Sequence, residues 1–471
     1  MKKETEYLKN TIILLFGKFS SQLVSFLLLP LYTYKLSTNN YGYIDLVQTY
    51  ISLIVPILML QLDSAVFRFL IDVRNEKEEK SKIISSSLIC LTSIIIVCIA
   101  ISYLIKIFIR INYYWLIILN MIALVFNTYF MSIARGNGNN NEYSIASILT
   151  AVITLIMNLI LILFLNFDAK SILISSIIAN VVSGIYICLK ERIFEFIHKK
   201  YLEKNILKKL LKYSIPMIPN VLSWWVVGLS DRTMISAIIG IAANGIYSVS
   251  CKFSNLLNNI FSIFSMSWQE TASIHINDKD NDIFFSRMIV NIYIFFVILS
   301  CLILCLLPVA FNVIIGNNYA ESYNYIPINL LANIFSVMTG LLGGLYIAKK
   351  RTKEVAFSTI MSATINIVLN IVFIKKICLY SASISTVIAY LIMLIYRYFD
   401  IKKLIDLNIE WNKTIPSFLL LIISGLSYYM KNKYLGVVIA IMTLIYYFVI
   451  NKDMAKEVFI NIKIKRKSKR N

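Results

Sequence analysis

Apolar runs long enough to cross a bilayer begin at residue 11 and recur to residue 451, separated by short loops. Such a run, as a helix, spans the hydrocarbon core. Lipid admits only elements that satisfy their own backbone groups. The expected fold is therefore an all-α integral membrane protein with about 14 transmembrane helices, the first near 11–34 and the last near 435–451. Charged residues are only 15% of the chain and hydrophobic ones 58%, which leaves no stretch for a soluble domain. The first apolar run is too long for a cleavable signal peptide, and no small-residue cleavage site follows it.

The net charge of +21 could suggest a nucleic-acid partner, but its distribution argues for none. With the N-terminus inside, 34 of the 46 Lys and Arg residues fall in inner segments, eight in outer loops and four within spans. That bias is the positive-inside pattern and predicts both termini in the cytoplasm of a bacterial inner-membrane protein. The basic excess then serves orientation and contact with anionic membrane lipids. The seven cysteines sit in or at the ends of apolar runs without a CxxC pair, and His198 and His275 fall in loops. Neither residue type suggests a metal, and no cofactor is expected.

Residues 190–212, KERIFEFIHKKYLEKNILKKLLK, alternate apolar residues with lysines and predict a basic amphipathic helix on the cytoplasmic leaflet. This linker separates an N-terminal six-helix lobe (1–189) from a C-terminal one (213–400). Two further spans (401–451) and a basic cytoplasmic tail (452–471) follow. A repeat supports the division: YGYIDLVQTY around Gly42 resembles NGIYSVSCKF around Gly245, at an offset of 203. Transporters built from two related halves carry such internal similarity.

The stretch Gly245–Glu270 is polar along one face. Ser248, Lys252, Asn255, Asn259, Ser262, Ser265 and Gln269 recur at steps of three or four. Such a stripe must face other helices or water. Lys252, roughly 10 Å below the outer end, disfavours insertion by roughly 2–3 kcal/mol unless hydrated or paired. The stripe is either a packing face with a paired lysine or the lining of a path for something polar. Lys18 with Gln22 in the first span, Asp45 in the second and Asp231-Arg232 in the seventh are further embedded polar groups. Asn329 and Asn333 in the tenth span, and Ser358, Ser362, Asn366 and Asn370 in the eleventh, form similar polar faces.

YGYIDLVQTY…AVFRFLID, SIPMIPN…WW…SDR, NGIYSVSCKFSN and SWQE, in this order, resemble the Wzx-type polysaccharide repeat-unit flippases of the multidrug/oligosaccharidyl-lipid/polysaccharide exporter superfamily. The resemblance covers essentially the whole chain. It implies two six-helix lobes in a V with pseudo-two-fold symmetry, a central cavity and alternating access. It also implies a substrate, polyprenyl-pyrophosphate oligosaccharide, moved from inner to outer leaflet for capsule, O-antigen or exopolysaccharide assembly, beside a polysaccharide polymerase and other assembly proteins. Related lipid-linked precursor flippases place basic residues of the first and eighth spans on the pyrophosphate; Lys18 and Lys252 stand there.

On the residues themselves, Lys18, Arg232 and Lys252 supply cations for a pyrophosphate, and Gln22, Asn255 and Asn259 supply neutral hydrogen-bonding groups for sugars. The offset of 203 places Lys252 level with Thr49, one turn from Asp45, and Glu270 level with Phe67, beside Arg68. Asp45 with Lys252 or Arg232, and Arg68 with Glu270, are therefore candidate gating pairs. The alternative is an ion-coupled multidrug or small-cation exporter, with Asp45 and Asp231 carrying protons or sodium ions. A membrane polymerase or ligase would be expected to carry a large outer loop with catalytic residues. The longest outer stretch, near Gly316–Asn324, is short and has no acid/base constellation.

Overall fold

The computed structural model describes residues 20, 23–108, 110–276, 278 and 281–450. The described elements are helical: α1 Leu23–Lys35, α2 Thr38–Leu58, α3 Leu62–Asp72, α4 Lys77–Phe108, α5 Tyr114–Gly136, α6 Asn140–Leu159, α7 Lys170–Lys190, α8 Lys204–Ser214, α9 Ile218–Ile238, α10 Ile241–His275, α11 Asn281–Ile314, α12 Ile326–Ala348, α13 Thr352–Ile377, α14 Leu379–Lys402, α15 Trp411–Met430 and α16 Lys433–Ile450. Eleven helical segments among the described residues are long and apolar enough to cross a membrane. The chain is thus a multi-pass membrane protein.

Local chemistry sets several boundaries. The Ser37 hydroxyl accepts from the Asn40 N–H at 3.2 Å and starts α2. Pro219 and Pro327 lie in the first turns of α9 and α12, where no N–H is needed. Asn432 Oδ1 accepts from the N–H groups of Tyr434 and Leu435 and caps α16. The apolar run 43–70 predicts one helix, but the chain breaks between α2 and α3. Pro56 sits in the last turn of α2, and Leu60 and Gln61 follow with φ of 49° and 55°. The Gln61 N–H reaches back to the Pro56 carbonyl at 3.1 Å. Hydrophobic periodicity does not report φ, so this break is not visible in the pattern.

The linker also differs from the single amphipathic helix expected over 190–212. Arg192 adopts φ 49°, and two short 3-10 turns, Ile193–Phe196 and Lys199–Tyr201, precede α8. Only α8 is regular. It buries Ile206 and Leu210 on a side that packs against α3 and α4, while Lys204, Lys208, Lys209 and Lys212 are exposed.

The chain divides into two compact units. The first comprises residues through Val249 with Asn317–Tyr319 and Asn370–Cys378. In it α7 packs on α5 and α6, α3 on α5, and α2 on α9. The second comprises Ser250–Gly316, Ala320–Leu369 and Leu379–Asn471. In it α12 packs on α14, and α11 on α15 and α16.

Polar groups in the helices pair across helix contacts, as membrane packing requires. Asn127 of α5 donates to Asn180 of α7 at 2.8 Å, whereas Asn158 donates to the Thr154 carbonyl of its own helix. In the second unit Asn329 and Asn333 of α12 donate to Ser250 Oγ and the Ser254 carbonyl of α10, at 2.9 and 3.3 Å. Three glycines of α12 admit large side chains. A Cβ on Gly340 would lie 2.5 Å from Phe261, one on Gly343 2.9 Å from the Arg397 guanidinium, and one on Gly344 2.6 Å from Trp268.

Candidate functional site

The first unit holds a charged cluster where α2, α9, α10 and α13 meet. Arg232 Nε of α9 lies 3.2 Å from Asp45 Oδ2 of α2, with the Asp45 side chain 6% exposed. Arg232 Nη1 donates to Thr49 Oγ1 at 3.4 Å, and Thr49 Oγ1 donates to the Asp45 carbonyl at 2.8 Å. The Trp225 indole N–H, two turns earlier on α9, donates to the Thr49 carbonyl at 3.0 Å. These contacts recur along both helices because residues three, four and seven apart share a helix face. The Arg232 N–H approaches Asp45 Oδ2 at ion-pair distance but not in line, so this buried oxygen makes no hydrogen bond.

Asp231 turns to another helix. Its Oδ1 accepts from Asn370 Nδ2 of α13 at 2.7 Å and its Oδ2 from the Tyr247 hydroxyl of α10 at 3.5 Å. The adjacent pair Asp231-Arg232 thus ties α9 to three partners, α13, α10 and α2. Among these residues there are one guanidinium and two carboxylates, and the ion pair is with Asp45. Arg232, expected on a pyrophosphate, has its charge on Asp45 in this structure.

Beside the cluster, α2 and α10 come into backbone contact. Cβ atoms built on Gly42 and Gly245 would collide with the carbonyls of Ile241 and Thr38 respectively. Both collisions keep the 203-residue offset of the repeat. Asn244 Nδ2 donates to the Gly42 carbonyl at 2.9 Å.

The expected stripes part company. On α13, Ser358, Ser362, Asn366 and Asn370 are each 0% exposed. Ser362 donates to the Ala389 carbonyl and Asn366 to Thr386, both on α14, at 3.1 Å. This face is a packing seam, and strict i+4 spacing cannot tell a seam from a cavity lining. On α10, Lys252, Asn255, Asn259, Ser262, Ser265 and Gln269 are all partly exposed. Glu270 is exposed. Arg68 is exposed too and pairs with Asp72 of its own helix at 2.6 Å. Lys18 and Gln22 lie outside the described residues.

One buried cation escapes the sequence reading. Arg397 directly follows the apolar run of the twelfth span and by position counts among the inner-segment cations. It is 1% exposed inside α14. Its guanidinium donates to Ser358 Oγ, the Thr339 carbonyl, the Val355 carbonyl and Thr359 Oγ1, at 2.9, 2.8, 3.3 and 3.0 Å. The second unit also has an open-sided apolar cavity of about 360 Å³ whose lining includes Phe335, Leu342, Leu394, Trp411 and Phe418.

The fold is similar to solved transporters at low identity. The lipid II flippase MurJ, in an inward closed conformation, superposes with a TM-score of 0.72 at 17% identity, over 94% of this chain and 100% of that one. An inward-facing multidrug resistance MATE family transporter of the MOP superfamily gives 0.66 at 14%, over 84% and 95%. A 61-residue stretch is 39% identical to "Lsg locus putative protein 1" of Haemophilus influenzae and spans 13% of this chain and 15% of that protein. Residues 7–269 match the polysaccharide biosynthesis protein family, a stretch that carries the Asp45–Arg232 cluster and the whole α10 stripe. The chain therefore belongs to that family, within the polysaccharide exporter superfamily.

Proposed function

We propose that this protein is a flippase. It moves polyprenyl-pyrophosphate-linked oligosaccharide units from the inner to the outer leaflet of the bacterial cytoplasmic membrane by alternating access, for an extracellular polysaccharide. The observation that carries this reading is the α10 face from Lys252 to Gln269, which stays partly exposed while the matching face of α13 is sealed. A half-open row of amides and hydroxyls headed by a lysine suits an anionic headgroup joined to sugars. Lys252 contacts the pyrophosphate; Asn255 and Asn259 contact sugar hydroxyls. The apolar cavity offers room for part of a polyprenyl chain.

The test is reconstitution of the full chain in proteoliposomes with a fluorescent polyprenyl pyrophosphate bearing a trisaccharide. Wild-type protein should translocate the probe, and Lys252→Ala should slow it at least tenfold. Movement of a lipophilic cation but not of this probe would favour a drug exporter, the reading that the MATE-like fold keeps open. Coupling to sodium or protons at Asp231 is the expected drive. Asp231→Asn should then abolish any dependence on an imposed ion gradient, and gradient dependence that survives would remove Asp231 from that role.

The charge bias supports a topology with both termini in the cytoplasm and the α13–α14 turn outside. Cys378 in that turn is exposed, whereas the other six cysteines are buried or partly so. An impermeant maleimide should therefore label intact cells at Cys378, and Cys378→Ser should remove most of the signal. Labelling only after the membrane is opened would reverse the orientation.

A further inference from the structure

The α2–α9 contact has two unlike edges. On one edge α2 shows Tyr50, Ile54 and Ile57, exposed apolar residues of the kind that face lipid. On the other, next to Asp45 and Thr49, α2 shows Gln48 and Ser52, exposed although polar and one helical turn apart. The two helices are antiparallel here, because Asp45 meets Arg232 while Thr49, further along α2, meets Trp225, further back on α9. Helical phase then puts Trp224 and Gly228 of α9, two turns and one turn before Arg232 respectively, on the same edge as Gln48 and Ser52. Trp224 is 47% exposed, and a Cβ on Gly228 would have nothing within 4 Å. Asn370 meets Asp231 on this edge, so the edge faces protein at Asp231, while Gln48, Ser52, Trp224 and Gly228 are exposed along it.

The geometry points to a saccharide subsite on this edge, formed by Gln48, Ser52, Trp224 and Gly228 beneath the Asp45–Arg232 pair. The assignment rests on the flippase reading and says which end of the substrate lies here. A pyrophosphate is a poor occupant, because among the described residues the guanidinium beside the subsite already pairs with Asp45 and Asp231 adds a second carboxylate. A neutral sugar ring suits it. Gln48 and Ser52 offer an amide and a hydroxyl for ring hydroxyls, and the Trp224 indole offers a flat face for the apolar side of a pyranose. Gly228 leaves the depth of a side chain empty against the α9 backbone.

The full chain in proteoliposomes, with two fluorescent probes, tests this. One is polyprenyl pyrophosphate bearing a trisaccharide and the other is the same lipid without sugar. Gly228→Leu fills open space, so it should fold. It should slow the trisaccharide probe at least tenfold and leave the sugar-free probe within twofold. Trp224→Ala should act the same way, and Trp224→Phe should restore most of the rate. Equal slowing of both probes, or no slowing of the trisaccharide probe, would overturn the subsite. A wild-type chain that moves neither probe would instead overturn the flippase reading.

A second measurement judges the subsite without any substrate. The part of the tryptophan emission lost in Trp224→Phe should be quenched by aqueous iodide and not by a lipid carrying a nitroxide in its acyl chain. Quenching by the lipid alone would place this edge in the bilayer and end the proposal.

Discussion

Alanine in place of Gly42 should cut transport at least tenfold, and valine should abolish it. The cause is backbone against backbone. A Cβ at position 42 would lie 2.6 Å from the Gly245 nitrogen and 3.0 Å from its Cα, besides striking the Ile241 carbonyl. A flexible side chain could turn away from such a contact, but a helix backbone cannot, so α2 and α10 must move apart. Overpacking of this kind costs about 1–3 kcal/mol even after relaxation. The separation would also stretch the 2.9 Å bond from Asn244 to the Gly42 carbonyl and disturb the Asp45–Arg232 pair one turn along α2. Gly245→Ala should match it, because its Cβ meets Thr38 and the Gly42 nitrogen, the latter at 3.1 Å. Gly425 supplies the control: its Cβ would have nothing within 4 Å, so Gly425→Ala should transport normally. Transport in proteoliposomes, normalised to folded protein, reads the result. Wild-type rates from Gly42→Ala would mean that this contact is not needed in the working cycle.

The same two glycines show how far the sequence could be read. Their local resemblance at an offset of 203 pointed to related halves, but similarity of two segments does not say that they touch. Contact between α2 and α10 follows from what the residues lack, and an absent side chain carries no periodicity. The polar stripes were legible as stripes. Spacing alone left α10 and α13 equivalent, and only the packing partner separates them: α14 seals the α13 face, while the α10 face from Lys252 on stays partly open. Asp45 and Arg232 were legible as embedded charges, and opposite charges in neighbouring helices have strong reason to meet. Leu60 and Gln61 were not legible as a break, because their left-handed backbone lies inside an apolar run with only Pro56 as a warning. Trp224 stands in the WW of the family-like motif, yet neither it nor Gly228 is legible as part of a site, because an aromatic and a glycine in a membrane helix are ordinary residues until the space beside them is known.

Arg397 is the embedded charge least legible in the sequence, and its replacement should be the most damaging change in the second unit. Its position conceals its role, because an arginine at the end of an apolar run usually snorkels to the surface. Here α14 continues past it to Lys402, and the side chain turns inward to α12 and α13. The nearest carboxylate on its own helix, Asp400, is occupied elsewhere. It accepts from the Tyr346 hydroxyl at 2.8 Å and lies 3.8 Å from Lys403. The guanidinium is held instead by two carbonyls and two hydroxyls, four acceptors spread over two helices, which suits a planar fork of donors and not a point charge. Arg397→Ala should therefore cost about 2–5 kcal/mol, as large-to-small changes at buried sites do. Arg397→Lys should cost as much, because an ammonium is more strongly hydrated and cannot span the same acceptors. Arg397→Met should cost least of the three. It fills much of the space and removes a charge whose burial is itself unfavourable, and an apolar residue of similar volume often replaces a buried charge without loss. Gly343→Ala should destabilise more mildly, by pressing a methyl group against the end of the arginine side chain, which can shift by a few tenths of an ångström. Thermal unfolding of the detergent-solubilised variants orders them. A lysine variant that melts with the wild type would show that charge alone matters at this site and would defeat the argument from the shape of the guanidinium.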